Sequence, residues 1–209
     1  MVILLKGFLY LHTVNFLAHI YLSGNNDQLK LGNFIADAIK GRRYLNYNSE
    51  IQKGILLHRE IDSFTDSHPI VKKSKERLHK RYKHYDGVII DIFYDHFLAK
   101  NWRDYHPEPL ALFVSDFYKI ATSQIKVLPE KIQYMLPYMV KANWLYNYQS
   151  LDGIERVLKG MNSRTNYKSH MDLAIEDLKL HYTDLQNDFI QFFDILRTFS
   201  SDKLISLNQ

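Results

Sequence analysis

Apolar residues recur at three- and four-residue intervals along nearly the whole chain, the period of helices that bury one face. The pattern predicts a short apolar helix over 15–22, ended by the polar turn Ser23-Gly24-Asn25-Asn26-Asp27, and a second helix over Gln28–Lys40 closed by Gly41. Ser49 with Gln52 three residues later forms a capping-box signal for a helix that runs to Ser67, where His68-Pro69 stops it. A strongly basic stretch follows over Val71–Tyr85, then a break at Asp86-Gly87 and a core helix over Val88–Asp104. Pro107 and Pro109 mark a loop before a helix over Leu110–Ile125. Leu128-Pro129-Glu130 opens a helix that Pro137 is expected to kink or break, because proline has no N–H to give. A short helix over Leu151–Lys159 ends at Gly160, and a long amphipathic one covers His170–Phe199. A strand over Gly87–Ile90 stays open, but no parallel-sheet pattern emerges. The expected fold is all-α, a single-domain helical bundle over 14–199, with 200–209 as a tail.

Composition supports this reading. The 209 residues are 46% hydrophobic, enough for one sizeable core, and the 8 glycines and 5 prolines are few for a protein built of tight turns. There is no cysteine, which excludes disulfides, thiolate nucleophiles and zinc–thiolate sites. A cytoplasmic location is expected. A formal charge of +4 suits an acidic partner without choosing among nucleic acid, anionic lipid and protein. The apolar start, Met1 to Leu11, has no basic residues before it and no small-residue cleavage site after it, so it reads poorly as a signal peptide. It is also too short to span a bilayer, so no membrane span is expected.

The candidate chemistry lies in four polar pairs spaced i and i+4 within apolar surroundings: Asn15/His19, Asn33/Asp37, His58/Asp62 and Asp91/Asp95. His96 follows the last pair and Asp66 extends the third by a turn. On a helix such pairs share one face. Among neighbours such as Phe16-Leu17-Ala18 and Ile55-Leu56-Leu57, these side chains are expected to point inward. Any one pair, alone, is better read as a satisfied core pair, a cap or a salt bridge. Four on separate helices point to a shared divalent ion, since buried charges need partners and bundles build metal sites from inward-facing side chains. A ligand set of carboxylates and imidazoles without sulfur suits Mn, Mg, Fe or Zn, and such ions support hydrolysis by activating water and polarising phosphoryl oxygens. There is no phosphate-binding glycine loop of the Walker type and no GxSxG, which weighs against nucleoside-triphosphate and serine-hydrolase chemistry.

The run Asn15-Phe16-Leu17-Ala18-His19 resembles the start of acyl carrier protein phosphodiesterases. Further matches follow in that family's order: Gly32 to Asp37 (GNFIAD), Gly54 to Asp66 (GILLHREIDSFTD), Asp91 to Trp102 (DIFYDHFLAKNW) and Gly160 to Arg164 (GMNSR), so the resemblance spans about 14–195. It implies a distorted HD-type, all-helical phosphohydrolase. The implied reaction removes 4′-phosphopantetheine from holo-acyl carrier protein with a divalent ion, manganese preferred and Mg2+ or Fe2+ possible. Family members begin at the NFLAH motif, and Val14 stands where an initiator would. Residues 1–13 are therefore expected to be upstream sequence or an unusual extension that carries no chemistry.

The expected ligand pool is His19, Asp37, His58, Asp62 and Asp95, with Asp91 and His96 as second choices or outer partners. Asp37 and His58 are expected to be catalytic. Arg59 is a candidate phosphate clamp, or equally a salt bridge to an acidic neighbour. Lys72, Lys73, Lys75, Arg77, Lys80 and Arg81 form either a solvated helix face or the docking surface for the acidic carrier protein. Tyr134, Tyr138, Trp144, Tyr146 and Tyr148 are either core or the lining of a pantetheine channel. Two other functions compete: an HD-like phosphohydrolase acting on nucleotides or cyclic dinucleotides, and a non-catalytic RNA-binding module. No RNA-binding fingerprint supports the latter, and no nucleic-acid partner is expected.

Overall fold

A computed structural model describes residues 16–207. The expectations for residues 1–13 and for Asn15 lie outside the described residues. Among the described residues twelve α-helices follow one another: α1 (Phe16–Leu22), α2 (Asp27–Ile35), α3 (Ser49–Ser67), α4 (Pro69–Tyr82), α5 (Asp86–Lys100), α6 (Trp102–Tyr105), α7 (Leu110–Ser123), α8 (Glu130–Lys141), α9 (Trp144–Asn147), α10 (Leu151–Arg164), α11 (Ala174–Leu180) and α12 (Tyr182–Leu207). Among the described residues there is no strand, so the 87–90 stretch is helical. No described helix is long and apolar enough to cross a membrane.

The central element is α5. From Val88 to Ala99 every residue but Asp91 is buried, and Asp91 is half-buried. Helices α1, α4, α10 and α12 pack around it. A helix apolar on all sides must be enclosed, which is why DIFYDHFLA shows no polar face in the sequence.

The most intimate pairing is α2 against α3. A Cβ built on Gly32 would lie 2.2 Å from the carbonyl oxygen of Ile51, and one on Gly54 would lie 2.2 Å from that of Leu29. The two backbones therefore touch at a crossing that admits no side chain. That contact sets Asn33, next to Gly32, against His58, one turn beyond Gly54.

Several boundaries differ from the sequence pattern, each for a local reason. Helix α2 stops at Ile35, not Lys40, because the N–H of Ala36 bonds to Asn33 O and tightens the chain into a 3-10 turn over Ala36–Ala38. Asn33 and Asp37 thus do not share a regular helical face. The cap of α3 is Asn48 rather than Ser49: its Oδ1 accepts from Ile51 N, while the Gln52 amide donates to Tyr47 O. Helix α4 begins at once after α3, with Pro69 in its first turn and His68 as the joint. Asp86-Gly87 opens α5 instead of interrupting the chain. Helix α8 is unbroken across Pro137, and α10 runs through Gly160 to Arg164. The expected helix over 170–199 is two, α11 and α12, and α12 continues to Leu207 with Ser200 buried.

The basic run on α4 is largely consumed in holding the bundle together. Buried Asp188 of α12 accepts from Lys73 Nζ at 2.9 Å, Ser74 Oγ at 2.9 Å and Arg77 Nη1 at 2.6 Å. Lys75 pairs with Asp66 and Arg81 with Asp177. Burial works against the Asp188 charge, but these donors hold its pKa below the usual carboxylate range. Asp188→Ala strands Arg77 and Ser74 without their acceptor. It is expected to cost about 3 kcal/mol in urea unfolding, against little change for an exposed pair such as Lys119→Ala.

Candidate metal centre

His19 leaves α1, Asp37 the 3-10 turn after α2, and His58 and Asp62 successive turns of α3. These four meet. His19 Nε2 lies 3.2 Å from Asp62 Oδ1, and His58 Nε2 lies 3.1 Å from Asp62 Oδ2 and 3.2 Å from Asp37 Oδ2. The two imidazoles stack with centroids 4.0 Å apart. Within this group, His19, His58 and Asp62 bring their ligand atoms within 4.8 Å of one another. Both histidines are buried, whereas the Asp62 side chain is 43% exposed and that of Asp37 17%, so the carboxylates form the open side.

The hydrogen bonding around His58 fixes its chemistry. The Asn33 amide donates to His19 O and to Ser23 Oγ, both at 3.0 Å, so its Oδ1 must face the other way as an acceptor. His58 Nδ1 lies 3.0 Å from that Oδ1 and is therefore its donor. Ser23 Oγ in turn donates to His19 O at 2.8 Å. With Nδ1 committed to Asn33, Nε2 is the nitrogen that can present a lone pair to a cation held beside the carboxylates once its own proton is lost.

His19 Nε2 and His58 Nε2 face the carboxylates at ion-pair distance without hydrogen-bond geometry, and His19 Nδ1 has no hydrogen bond. Buried polar atoms are nearly always paired, and leaving one unpaired costs about 1–3 kcal/mol. Two buried imidazole nitrogens that converge with carboxylate oxygens without hydrogen-bonding them are the arrangement a shared divalent cation satisfies. The nitrogen–oxygen donor set without sulfur fits manganese, iron, zinc or magnesium. A divalent ion is thus well matched to these residues.

Electrostatics agrees. Burial disfavours charge on His58, yet Asp37 and Asp62 outweigh it and raise its pKa to about 10. Burial and the neighbouring His58 lower that of His19. Burial works against the Asp62 charge too, but the two imidazoles hold its carboxyl well below the usual range. At pH 7 the metal-free His58 ring therefore carries a second proton, on Nε2, which an incoming cation must expel. Manganese affinity is expected to rise about tenfold per pH unit between pH 7 and 9 and to level off above 10. Calorimetry at three pH values checks this. The linkage for folding has the opposite sign: a histidine pKa raised above its unfolded value stabilises the metal-free protein below about pH 6.5, and that contribution is lost as pH rises through 10.

The other expected site residues are placed differently. Asp95 does not join the cluster: Oδ2 accepts from Leu17 N at 2.9 Å and Oδ1 from Ala18 N at 2.8 Å. It anchors the first turn of α1 and so aims His19. His96 is also engaged elsewhere, between Tyr148 O and the Tyr182 hydroxyl, and burial lowers its pKa to about 4. Asp91 is the carboxylate of α5 that senses the cluster; burial and the negative charge of Asp62 raise its pKa to about 8. Arg59 is held by backbone carbonyls. Its Nη2 donates to Ile39 O and Gly41 O, and its guanidinium lies over the Tyr44 ring, so it pins the loop that follows Asp37. Of the docking candidates, Lys72 and Lys80 alone have no ion pair among the described residues. Ser23 was legible only as a turn residue; its part in orienting Asn33 has no signature at sequence level.

A profile of the family described as acyl carrier protein phosphodiesterase matches residues 14–196. The chain belongs to this family. Acyl carrier protein phosphodiesterases from Photorhabdus laumondii subsp. laumondii and from Enterobacter sp. (strain 638) are 32% and 33% identical to it, over 191 and 184 residues. The first match covers 91% of this chain and 96% of the relative, the second 86% and 94%. A third, from Yersinia enterocolitica, is 32% identical over 196 residues, covering 92% of this chain and 100% of the relative. No solved structure matches. The family resemblance read from GNFIAD and GILLHREIDSFTD thus rests on the two segments whose glycines touch at the α2–α3 crossing.

Proposed function

We propose that this protein hydrolyses the phosphodiester joining 4′-phosphopantetheine to serine of holo-acyl carrier protein, releasing apo-carrier protein, and that it does so in the cytoplasm with a divalent ion, manganese by preference. The observation that carries this reading is the pair of buried imidazole nitrogens of His19 and His58 that face Asp62 and Asp37 without hydrogen-bonding them, in a chain of the acyl carrier protein phosphodiesterase family.

In this reading His19, His58 and Asp62 hold the ion, as in an HD-type site, and Asp37 stands beside His58 as a further ligand or as its electrostatic partner. When bound, the ion supplies an activated water and neutralises charge on the phosphoryl oxygens. Asn33 holds His58 in the tautomer that keeps Nε2 available. Asp95 fixes the pitch of α1 and with it His19. Asp91 is the carboxyl that ionises when a cation offsets Asp62, in the outer role expected of it. Lys72 and Lys80 remain the outward cations of α4 for contact with an acidic carrier protein.

The ion requirement is directly testable. Treatment with a chelator is expected to abolish release of 4′-phosphopantetheine from holo-carrier protein, and manganese to restore it better than magnesium or zinc. Full activity in the chelated enzyme would refute the metal assignment.

A further inference from the structure

Helix α10 contains a glycine for which packing offers no reason. Gly160 lies in the interior of Leu151–Arg164, where glycine costs about 1 kcal/mol relative to alanine. It has helical backbone, and a Cβ built on it meets no atom within 4 Å. Gly153 on the same helix is different: its Cβ would collide with Asn147 O at 1.9 Å, so the close approach of α9 accounts for it.

Gly160, itself exposed, lines a cavity of about 140 Å³ between α1, α9 and α10. Phe16, Trp144, Tyr148, Val157 and Met161 give it mostly apolar walls, and no carboxylate lines it. Two cations do, Arg156 and Arg164, and neither makes an ion pair among the described residues. The cavity has room for on the order of ten non-hydrogen atoms, at about 10–15 Å³ for each water-sized occupant. It lies close to the metal cluster. Phe16 lines it from α1, three residues before His19 and so about one helical turn away. Lys131, at the start of α8, senses the charges of both Arg164 and Asp37.

We infer that this cavity receives the organic arm of the substrate: a flexible chain with amide carbonyls and a gem-dimethyl group, attached to a phosphate held outside at the cluster. Such a ligand needs apolar walls for its methyl and methylene groups and cationic donors for its carbonyl, hydroxyl and phosphate oxygens, and these walls and donors are the two kinds present. About half the arm fits inside, the remainder crossing the arginine rim toward His19. The expected pantetheine channel is thereby narrowed to Trp144 and Tyr148. Tyr134 and Tyr138 are more than half exposed and line no part of the cavity.

This inference rests on the carrier-protein reading, so its test is made blind to catalysis. Trp144 is one of two tryptophans, and the other, Trp102, is buried away from the cavity. Titration of the full chain with 4′-phosphopantetheine is expected to change Trp144 fluorescence saturably, and inorganic phosphate is expected not to. Trp144→Phe should remove the signal. Gly160→Phe, which builds into open space on a residue type the helix prefers, should weaken the titration at least about tenfold while circular dichroism and melting stay those of wild type. The same variant should raise KM for holo-carrier protein far more than it lowers kcat. No signal with 4′-phosphopantetheine, an equal signal with phosphate, or an unaltered titration in Gly160→Phe would each overturn the assignment of the cavity. If the titration succeeds while holo-carrier protein is not hydrolysed, the cavity assignment survives and the proposed reaction falls.

Discussion

His58→Ala is expected to lose manganese binding and to lower hydrolysis of holo-carrier protein about a thousandfold or more. His58 is the one side chain that touches both carboxylates of the cluster, with Nε2 3.1 Å from Asp62 and 3.2 Å from Asp37. Removing it deletes a nitrogen ligand and leaves two carboxylates facing each other with their chief counter-charge gone. Several kcal/mol of transition-state stabilisation by an ion convert to about three powers of ten in rate. Binding can be read separately from folding. An ion at 100 times its Kd stabilises the folded protein by about 2.7 kcal/mol, so wild type should melt higher with manganese and His58→Ala should not shift. Asn33→Ala is the graded companion: it leaves every ligand in place but frees the His58 tautomer, and a loss of about 10- to 100-fold in affinity or activity is expected. A manganese-dependent melting shift in His58→Ala equal to that of wild type would remove His58 from the ligand set.

Gly54→Ala is expected to destabilise the fold by about 3 kcal/mol or more, an effect normally reserved for core truncations. The added methyl would lie 2.2 Å from Leu29 O and 2.8 Å from Asn33 N. These are backbone atoms of a helix and cannot swing aside as a side chain does. Helix α2 must move away from α3, and with it Asn33 moves off His58. The variant should therefore lose metal affinity beyond what its lower stability explains, seen as a weaker manganese shift in melting among molecules that are still folded. Gly87→Ala is the control: it meets only the flexible end of Lys75, at 3.3 Å, and should cost less than 1 kcal/mol. Equal unfolding midpoints for Gly54→Ala and wild type would show that the crossing is looser than described.

The all-α class could be read from the three-to-four periodicity, and so could the joint at His68-Pro69, because both are local. Boundaries governed by one hydrogen bond were less legible: α2 reads as helical through Lys40, and only the Ala36-to-Asn33 bond shows that Asp37 leaves the helix to meet His58. Three of the four ligand-pool residues that converge came from inward pairing of polar groups among apolar ones, and the fourth, Asp37, from a spacing that the structure does not keep. Asp95 shows the limit of that logic. A buried carboxylate needs partners, but backbone amides of α1 meet the need as well as a cation would. The basic run of α4 shows the same limit at the surface, since Asp188 and Asp177, more than 90 residues away in sequence, claim its charges. Gly160 reads in sequence as a helix end because glycine usually is one; that it marks a cavity requires the third dimension.

The most direct test of the central claim is mass spectrometry of holo-acyl carrier protein after incubation with this protein and manganese, beside a His58→Ala control. The account predicts conversion of the carrier to its apo mass with release of intact 4′-phosphopantetheine in wild type, and an unchanged carrier with the variant. An unchanged carrier with manganese-loaded wild type would contradict it and point the same cluster toward small nucleotide substrates. Equal conversion by His58→Ala would leave the reaction in place and contradict the site.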